Sequence, residues 1–200
     1  MSLEHSLKQL ESVKEIFEQL SNGRHIDANL NSDWWRLLQG ERGDDYVTLF
    51  KHLGKTLEID PRGFAYFNFD DSNQKAARQV ALLFLLLLDK KHSDGADLLK
   101  FTSWVLNPAF INVVREKNQD LLIQEKLDKD EPWNKVVHKA ELLGFLEKVD
   151  GGYRMLTACW RFIDLYQVLA ENINEEDASV DESNEDDIEV DEDEMGDDNV

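Results

Sequence analysis

Two β-hairpin patterns, each preceded by a set of helix patterns, constrain the fold of this chain more than any other feature. In the first pattern, "LEID" and "FAYFNF" flank a turn with Pro61 at its second position and Gly63 at its fourth. In the second, "FLEKV" and "YRML" flank the glycine-rich turn "DGG". Three amphipathic helix patterns come before the first hairpin, and Asn22-Gly23 is a typical end for the earliest of them.

The order of elements repeats in the second part of the chain. A long apolar helix is predicted over 76–91 and another over 96–106, followed by a less regular stretch with short helices and then by a helix that begins at Pro132. The second hairpin and a final helix complete this part. Three helices followed by a hairpin are typical of a winged helix. We therefore predict a mainly α fold with small β-hairpins (α+β), built from tandem winged-helix domains over residues 1–72 and 73–173.

The charge distribution separates the end of the chain from the rest. All 22 Lys and Arg lie at or before Arg161, whereas residues 174–200 hold fifteen Asp and Glu and no basic or aromatic residue. Residues 1–173 therefore carry 27 acidic and 22 basic residues, a net charge of −5 out of the total of −20. A segment so acidic and so poor in apolar side chains cannot offset the entropy cost of folding, so residues 174–200 are predicted to be an acidic disordered tail.

The sequence carries no recognisable catalytic motif, neither a phosphate-binding glycine loop nor a nucleophile elbow nor a zinc-binding helix. His138 and Glu141 share a helical face, but two ligands make a poor metal site. His25 is expected to form a structural hydrogen bond near the start of a helix, and Cys159 to be a buried, unreactive thiol of a reducing compartment. The chain is therefore expected to be no enzyme, with no cofactor and no metal.

The longest apolar run, "VALLFLLLL" at residues 80–88, is far too short to span a membrane. The stretch "RGFAYFNF" resembles the base-stacking strand of an RNA-recognition domain. That interpretation is excluded because helices occupy the residues where the partner strand would lie.

The aromatic residues of this hairpin, with those of "DWWRLL", exceed what one small domain needs to bury. We predict a dimer or partner interface there, the alternative being that adjacent helices cover both faces of the hairpin. Its candidate residues are Trp34, Trp35, Phe64, Tyr66, Phe67 and Phe69.

Basic side chains of the second unit are candidates for DNA contact. Lys135 and Lys139 lie one turn apart on the helix that reads DNA in winged-helix proteins, and Lys148 and Arg154 lie on the hairpin. The alternative is an ordinary solvated surface, because acidic residues are interspersed among them. With a negative net charge, the isolated chain is expected to bind duplex DNA weakly at physiological salt.

The segments "SNGRHID", "DPRGFAYFNF" and "HKAELLGFLEKVDGGYRMLTACWRF", in this order, resemble the MukE family, including its MksE branch. The family comprises non-enzymatic subunits of bacterial SMC (condensin-like) complexes. The resemblance implies tandem winged-helix domains, a homodimer, and binding to a kleisin of the MukF/MksF type. Through the kleisin it implies association with an SMC ATPase of the MukB/MksB type, and with DNA only within the complex.

A protein of that kind would be cytoplasmic and nucleoid-associated, without a membrane partner. It would act in chromosome condensation, organisation and segregation, or in defence against plasmids. The alternative from a different class is a dimeric winged-helix transcription regulator. That function would require the isolated protein to bind DNA tightly, which its negative net charge disfavours.

Overall fold

The computed structural model describes residues 10–68 and 74–169. These residues form an α+β structure with two three-stranded antiparallel sheets, so the predicted combination of helices and small hairpins is confirmed. The predicted acidic tail lies outside the described residues, as does Phe69. Among the helices that the structure describes, none is both long enough and apolar enough to cross a membrane.

The first half, residues 10–68, contains one sheet and three helices. Its elements are α1 (Val13–Ser21), β1 (Ile26–Asp27), α2 (Ser32–Gln39), α3 (Gly43–His52), β2 (Thr56–Asp60) and β3 (Phe64–Asn68). Strand β3 is central and pairs antiparallel with both β1 and β2. In the predicted turn between β2 and β3, the Gly63 N–H donates to the Asp60 carbonyl at 3.0 Å. Gly63 has a φ of 107°, which explains why glycine occupies that position.

The second half, from residue 74 onward, repeats the arrangement with additional helices. Its elements are α4 (Gln74–Ser93), a 3₁₀ segment (Leu98–Ser103), β4 (Val105–Leu106), α5 (Pro108–Lys117), α6 (Gln119–Gln124), α7 (Asp130–Leu142), β5 (Leu146–Val149), β6 (Gly152–Met155) and a 3₁₀ turn (Thr157–Cys159). A last helix, α8, begins at residue 160 and is described as far as residue 169. Strand β6 is central, with β4 and β5 on either side. Helix α4 packs against α7.

The predicted helix over 96–106 is wrong, because this segment forms a short 3₁₀ helix and then a strand. The Asp97 side chain accepts a hydrogen bond from the Leu99 N–H at 3.0 Å, and the backbone turns extended at Trp104. Strand β4 then pairs with β6 beside Gly152, where a Cβ atom would lie 2.3 Å from the Leu106 carbonyl oxygen. Glycine at this position permits the close approach on which the third strand depends.

The core of the first half is rich in aromatic rings. The ring of Phe67 lies 5.3 Å from that of Phe50 and 5.7 Å from that of Phe17, both at steep angles. These edge-to-face arrangements are favourable between aromatic quadrupoles. The fully enclosed residues of this cluster are Ile16, Leu20, Ile26, Leu38, Tyr46, Phe50, Leu57, Ala65 and Phe67.

The core of the second half joins α4 to the second hairpin and α8. Phe84 of α4 stacks on Phe162 of α8, with ring centroids 4.5 Å apart, and Phe145 lies 4.8 Å from Phe162. Cys159 is fully buried beneath them, and its Sγ donates to the Phe145 carbonyl at 3.1 Å. Burial raises the pKa of the Cys159 thiol well above its ordinary value. The residue therefore serves as a small buried side chain, as the sequence predicts.

Candidate partner-binding surfaces

The two halves meet along a buried seam formed by His25, Asp27, Gly63, Leu143 and Thr157. One oxygen of Asp27, a residue only 1% exposed, accepts from the Thr157 N–H at 2.9 Å and lies 2.5 Å from the Thr157 hydroxyl. That hydroxyl is also 2.8 Å from the Gly63 carbonyl oxygen. Because a hydroxyl has one hydrogen, it donates to one of these two acceptors at a time. The seam connects β1 and the first hairpin to the segment after the second hairpin.

His25 forms the other part of the seam. Its backbone N–H and its Nδ1 both approach the Leu143 carbonyl, at 2.9 Å and 2.8 Å, so Nδ1 carries the hydrogen and donates. Its Nε2 lies 3.1 Å from Nη1 of Arg161 and accepts from it. Burial, with the Arg161 charge as a smaller cause, lowers the pKa of His25 from 6.5 to about 4. His25 thus hydrogen-bonds to the end of α7 rather than to the start of a helix as expected.

Arg62, in the turn of the first hairpin, extends the contact between the halves at the surface. Its guanidinium donates to Asp60 at 2.7 Å and to Asp164 at 2.8 Å, and it lies 5.0 Å from the centre of the Trp160 ring. Its hydrogen bonds lower the pKa of the Asp60 carboxyl. The arginine therefore joins the two halves through charge and through ring contact.

The aromatic residues predicted to form a dimer or partner interface differ in how deeply they are buried. Phe64 and Phe67 are 1% and 2% exposed. Phe67 lies in the first core, and Phe64 faces the seam, 6.4 Å from the His25 ring. Both are therefore removed from the candidate surface, because the chain itself covers them. Tyr66 is half-buried, with the Arg161 guanidinium 4.2 Å from its ring centre.

Besides Tyr66, two described members of the predicted aromatic interface keep exposed area. Trp34 and Trp35 of α2 are half-buried and pack partly against the core of the first half. Phe69, the last member, lies outside the described residues. Of the predicted interface, the aromatic residues that a partner can reach on the described first half are therefore Trp34 and Trp35 of α2 and Tyr66 of the hairpin.

The four basic candidates for DNA contact fall into two groups. Arg154 and Glu147 are cross-strand partners on one face of the second hairpin, with Nη1 and Oε2 3.5 Å apart. Lys148 pairs with Tyr153 in the next register position and so lies on the opposite face. Both basic side chains are exposed. The hairpin therefore presents one positive charge on each face.

The other two candidates, Lys135 and Lys139 of α7, lie in a groove of about 260 Å³ between α7, the start of α4 and the residues that follow α6. Two further lysines, Lys75 of α4 and Lys126, also line this groove. Lys135 is paired with Glu131 one turn away, at 2.7 Å. We call this feature the lysine groove.

The floor of the lysine groove is apolar. It is formed by Ala76, Val80, Leu127, Pro132 and Val136, with Gln79 beside them. Sequence reasoning identified Lys135 and Lys139 from their spacing on one helix but missed Lys75 and Lys126. No sequence signal connects those two residues to α7, because only the packing of α4 against α7 brings them together.

The His138–Glu141 pair is present, with Nδ1 and Oε2 3.2 Å apart on an exposed helical face. Within residues 10–68 and 74–169, no three His, Cys, Asp or Glu side chains are grouped to hold a metal ion. The pair is thus an ordinary contact between residues three positions apart on a helix.

Comparison with known proteins gives one informative result. No curated protein matches the sequence. The family model of the condensin complex protein MksE matches residues 11–167, which include both sheets, the seam and the lysine groove. The match covers well over half of the chain and agrees with the resemblance carried by its sequence motifs. This chain belongs to the MksE family of condensin complex proteins.

Proposed function

We propose that this chain is a non-catalytic subunit of a bacterial condensin-like complex that binds the kleisin and, through it, an SMC ATPase. The observation that carries the proposal is the family match over residues 11–167. We further propose that the protein acts in the cytoplasm at the nucleoid, in chromosome organisation and segregation or in defence against plasmids.

Each half is proposed to be a winged-helix domain, over residues 1–72 and 73–173. The support is the shared order of elements, in which a helix, a short strand and further helices precede a hairpin whose second strand is central. The seam joins the two domains through buried hydrogen bonds, so we expect a partner to meet them as one rigid body.

The test of the kleisin role is reconstitution with the kleisin and the SMC ATPase of the same bacterium. We expect the full chain to co-elute with the kleisin in size-exclusion chromatography, and to join the ATPase only when the kleisin is present. Failure to co-elute with the kleisin, or direct binding to the ATPase without it, would overturn the proposal.

We also propose a homodimer in which the exposed parts of Trp34 and Trp35 contribute to the interface. Half-exposed tryptophans are enriched at interfaces because they bury a large area with few rotatable bonds. Light scattering at micromolar concentration should give twice the chain mass of 23.2 kDa. A mass equal to one chain would contradict the dimer.

Within the assembled complex, we propose that Lys148 and Arg154 contact DNA phosphates. The support is that both side chains are exposed on the second hairpin and that β-structure can enter a DNA groove. Changing both residues to Glu should reduce DNA retention by the complex, and the slope of log affinity against log salt should fall by about one unit per lost contact. Unchanged retention would remove the hairpin from the DNA interface.

The isolated chain is expected to bind duplex DNA weakly, because its net charge of −20 opposes approach. Tight binding by the isolated protein would instead support a transcription regulator. Lys135 and Lys139 line the lysine groove and do not belong to the hairpin. Measuring duplex DNA binding of the variant Lys135→Glu/Lys139→Glu decides whether they contact phosphate.

A further inference from the structure

The lysine groove combines two properties that together limit what can bind there. Four lysines line it, and among its described lining residues there is no carboxylate. Lys75, Lys126 and Lys139 make no ion pair with any described residue, and Lys135 shares its charge with Glu131. This is an unusual concentration of positive charge in a chain with 42 acidic and 22 basic residues. Its charge complements an anionic ligand.

Lys126 adds a second observation. It is one of two described non-glycine residues with a positive φ, at 58°. Its N–H donates to the Ile123 carbonyl where α6 ends, a position at which glycine or asparagine is the usual residue. The backbone of a lysine in this conformation is strained. The side chain of Lys126 is exposed and lies at the edge of the groove. Glycine would relieve the strain at this position but would remove the positive charge from the groove.

The shape and floor of the groove favour a peptide over duplex DNA. Its volume of about 260 Å³ accommodates one or two side chains of a peptide rather than a double helix. A phosphate backbone would meet the lysine tips but leave the half-buried apolar side chains of Ala76 and Pro132 without a partner. A peptide with carboxylates around an apolar side chain satisfies both parts of the groove.

We propose that the lysine groove binds an acidic segment of a partner protein, with carboxylates on Lys75, Lys126, Lys135 and Lys139 and one apolar side chain on the floor. The inference goes beyond the role proposed above, because it names the chemistry of the bound segment and does not require that the kleisin supply it. The interaction is charge-dependent and weakens with salt.

The test is fluorescence anisotropy with the full chain and three labelled probes. The first probe is a short peptide in which one isoleucine is flanked on both sides by Asp and Glu. The second replaces that isoleucine with serine, and the third is a duplex DNA. We expect the isoleucine peptide to bind most tightly, the serine peptide more weakly, and both peptides to weaken as salt increases.

Charge-reversal variants locate the binding site. The double variant Lys135→Glu/Lys139→Glu should weaken peptide binding by roughly tenfold or more, because it replaces two attractive contacts by repulsive ones. Lys14→Glu on α1 makes the same kind of charge change at an exposed lysine that does not line the groove and should leave binding within about twofold.

Lys126→Gly separates binding from folding. It relieves the strain at a positive φ, so the melting temperature should stay equal or rise while peptide affinity falls severalfold. If affinity is unchanged in Lys126→Gly, or if the full chain binds neither peptide, the proposal is overturned. Tighter binding of duplex DNA than of peptide, lost in the Lys135→Glu/Lys139→Glu variant, would also overturn it and assign the groove to phosphate.

Co-elution of the same variants with the kleisin distinguishes this inference from the proposed function. If the wild-type chain binds the kleisin but neither peptide, the groove assignment is wrong and the proposed function still stands. Loss of the kleisin in Lys135→Glu/Lys139→Glu, with peptide binding lost in parallel, supports the groove assignment and identifies the kleisin as the source of the acidic segment.

Discussion

The two hairpins of this protein have the same position in the order of elements, but their turns and charged side chains relate differently to the rest of the chain. The first, β2–β3, has Phe64 and Phe67 buried and its turn fastened to the second half by Gly63 and Arg62. The second, β5–β6, exposes Lys148 and Arg154 on its two faces. The first hairpin is thus fastened to the other half of the chain, whereas the second keeps exposed basic side chains that we propose to contact DNA.

The largest effect is expected when the buried acceptor behind the first hairpin is removed. Asp27→Ala leaves the N–H groups of Thr157 and Asn29 without their acceptor inside the protein. The expected cost is about 3 kcal/mol, or about 6–12 °C in melting temperature for a chain of this size. Glu147→Ala on the second hairpin is the matched control and should change stability by less than about 0.5 kcal/mol. Equal losses in the two variants would contradict the contrast between the hairpins.

The seam should also depend on pH through His25. The unfolded chain binds a proton near pH 6.5, whereas the folded chain binds it only near pH 4 because burial lowers the pKa of His25. The stability is therefore fully present above pH 6.5 and is lost as the pH falls toward 4. Between pH 7 and pH 5 the free energy of unfolding should fall by about 2 kcal/mol from this group.

Urea unfolding at pH 7 and pH 5 measures this effect, with His25→Gln as the control. Glutamine can donate to the Leu143 carbonyl and accept from Arg161 but does not titrate. The variant should lose most of the difference between the two pH values. A variant with the same pH dependence as the wild type would show that His25 is not the titrating group.

A smaller effect is expected at the turn of the first hairpin. Arg62→Lys keeps the charge but loses the forked hydrogen bonds to Asp60 and Asp164 and the planar contact with Trp160. Because these side chains are partly exposed, the expected loss is about 1 kcal/mol, or about 2–4 °C in melting temperature. Arg36→Lys, at a more exposed pair with Asp33, is the control and should have almost no effect. A loss as large as that of Asp27→Ala would mean that the surface contact, not the buried one, dominates the seam.

The smallest effect on stability is expected at the second hairpin. Lys148→Glu/Arg154→Glu should leave the melting temperature within about 2 °C, because both side chains are solvated and the Arg154–Glu147 contact is long. The same variant should reduce DNA retention by the reconstituted complex. A large drop in melting temperature would show that these two exposed side chains themselves contribute to stability.

Sequence reasoning succeeded where a residue type has a local physical cause. Pro61 and Gly63 determined the first turn, and the apolar periodicity of residues 76–91 predicted α4, observed as Gln74–Ser93. Strands β1 and β4 were missed because two residues have no periodicity, and each exists only through pairing with a strand far along the chain. The predicted helix over 96–106 failed for the same reason, since pairing with β6 overrode its local apolar pattern.

The candidate surfaces show the same limit. Lys135 and Lys139 could be grouped from the sequence because helical spacing relates them. Lys75 and Lys126 could not, since their proximity to α7 depends on how α4 and the end of α6 pack. The burial of Phe64 likewise depends on a seam whose hydrogen bonds connect residues more than ninety positions apart.

Cys159 gives the protein an internal probe of its own opening. It is the only cysteine in the sequence, it is fully buried, and its raised pKa keeps it as the unreactive thiol. An alkylating reagent can therefore modify it only in molecules that have transiently opened around Phe145, so the alkylation rate reports the population of that open state. Mass spectrometry can follow this rate at one site without an introduced cysteine, in the isolated chain and in its complexes alike.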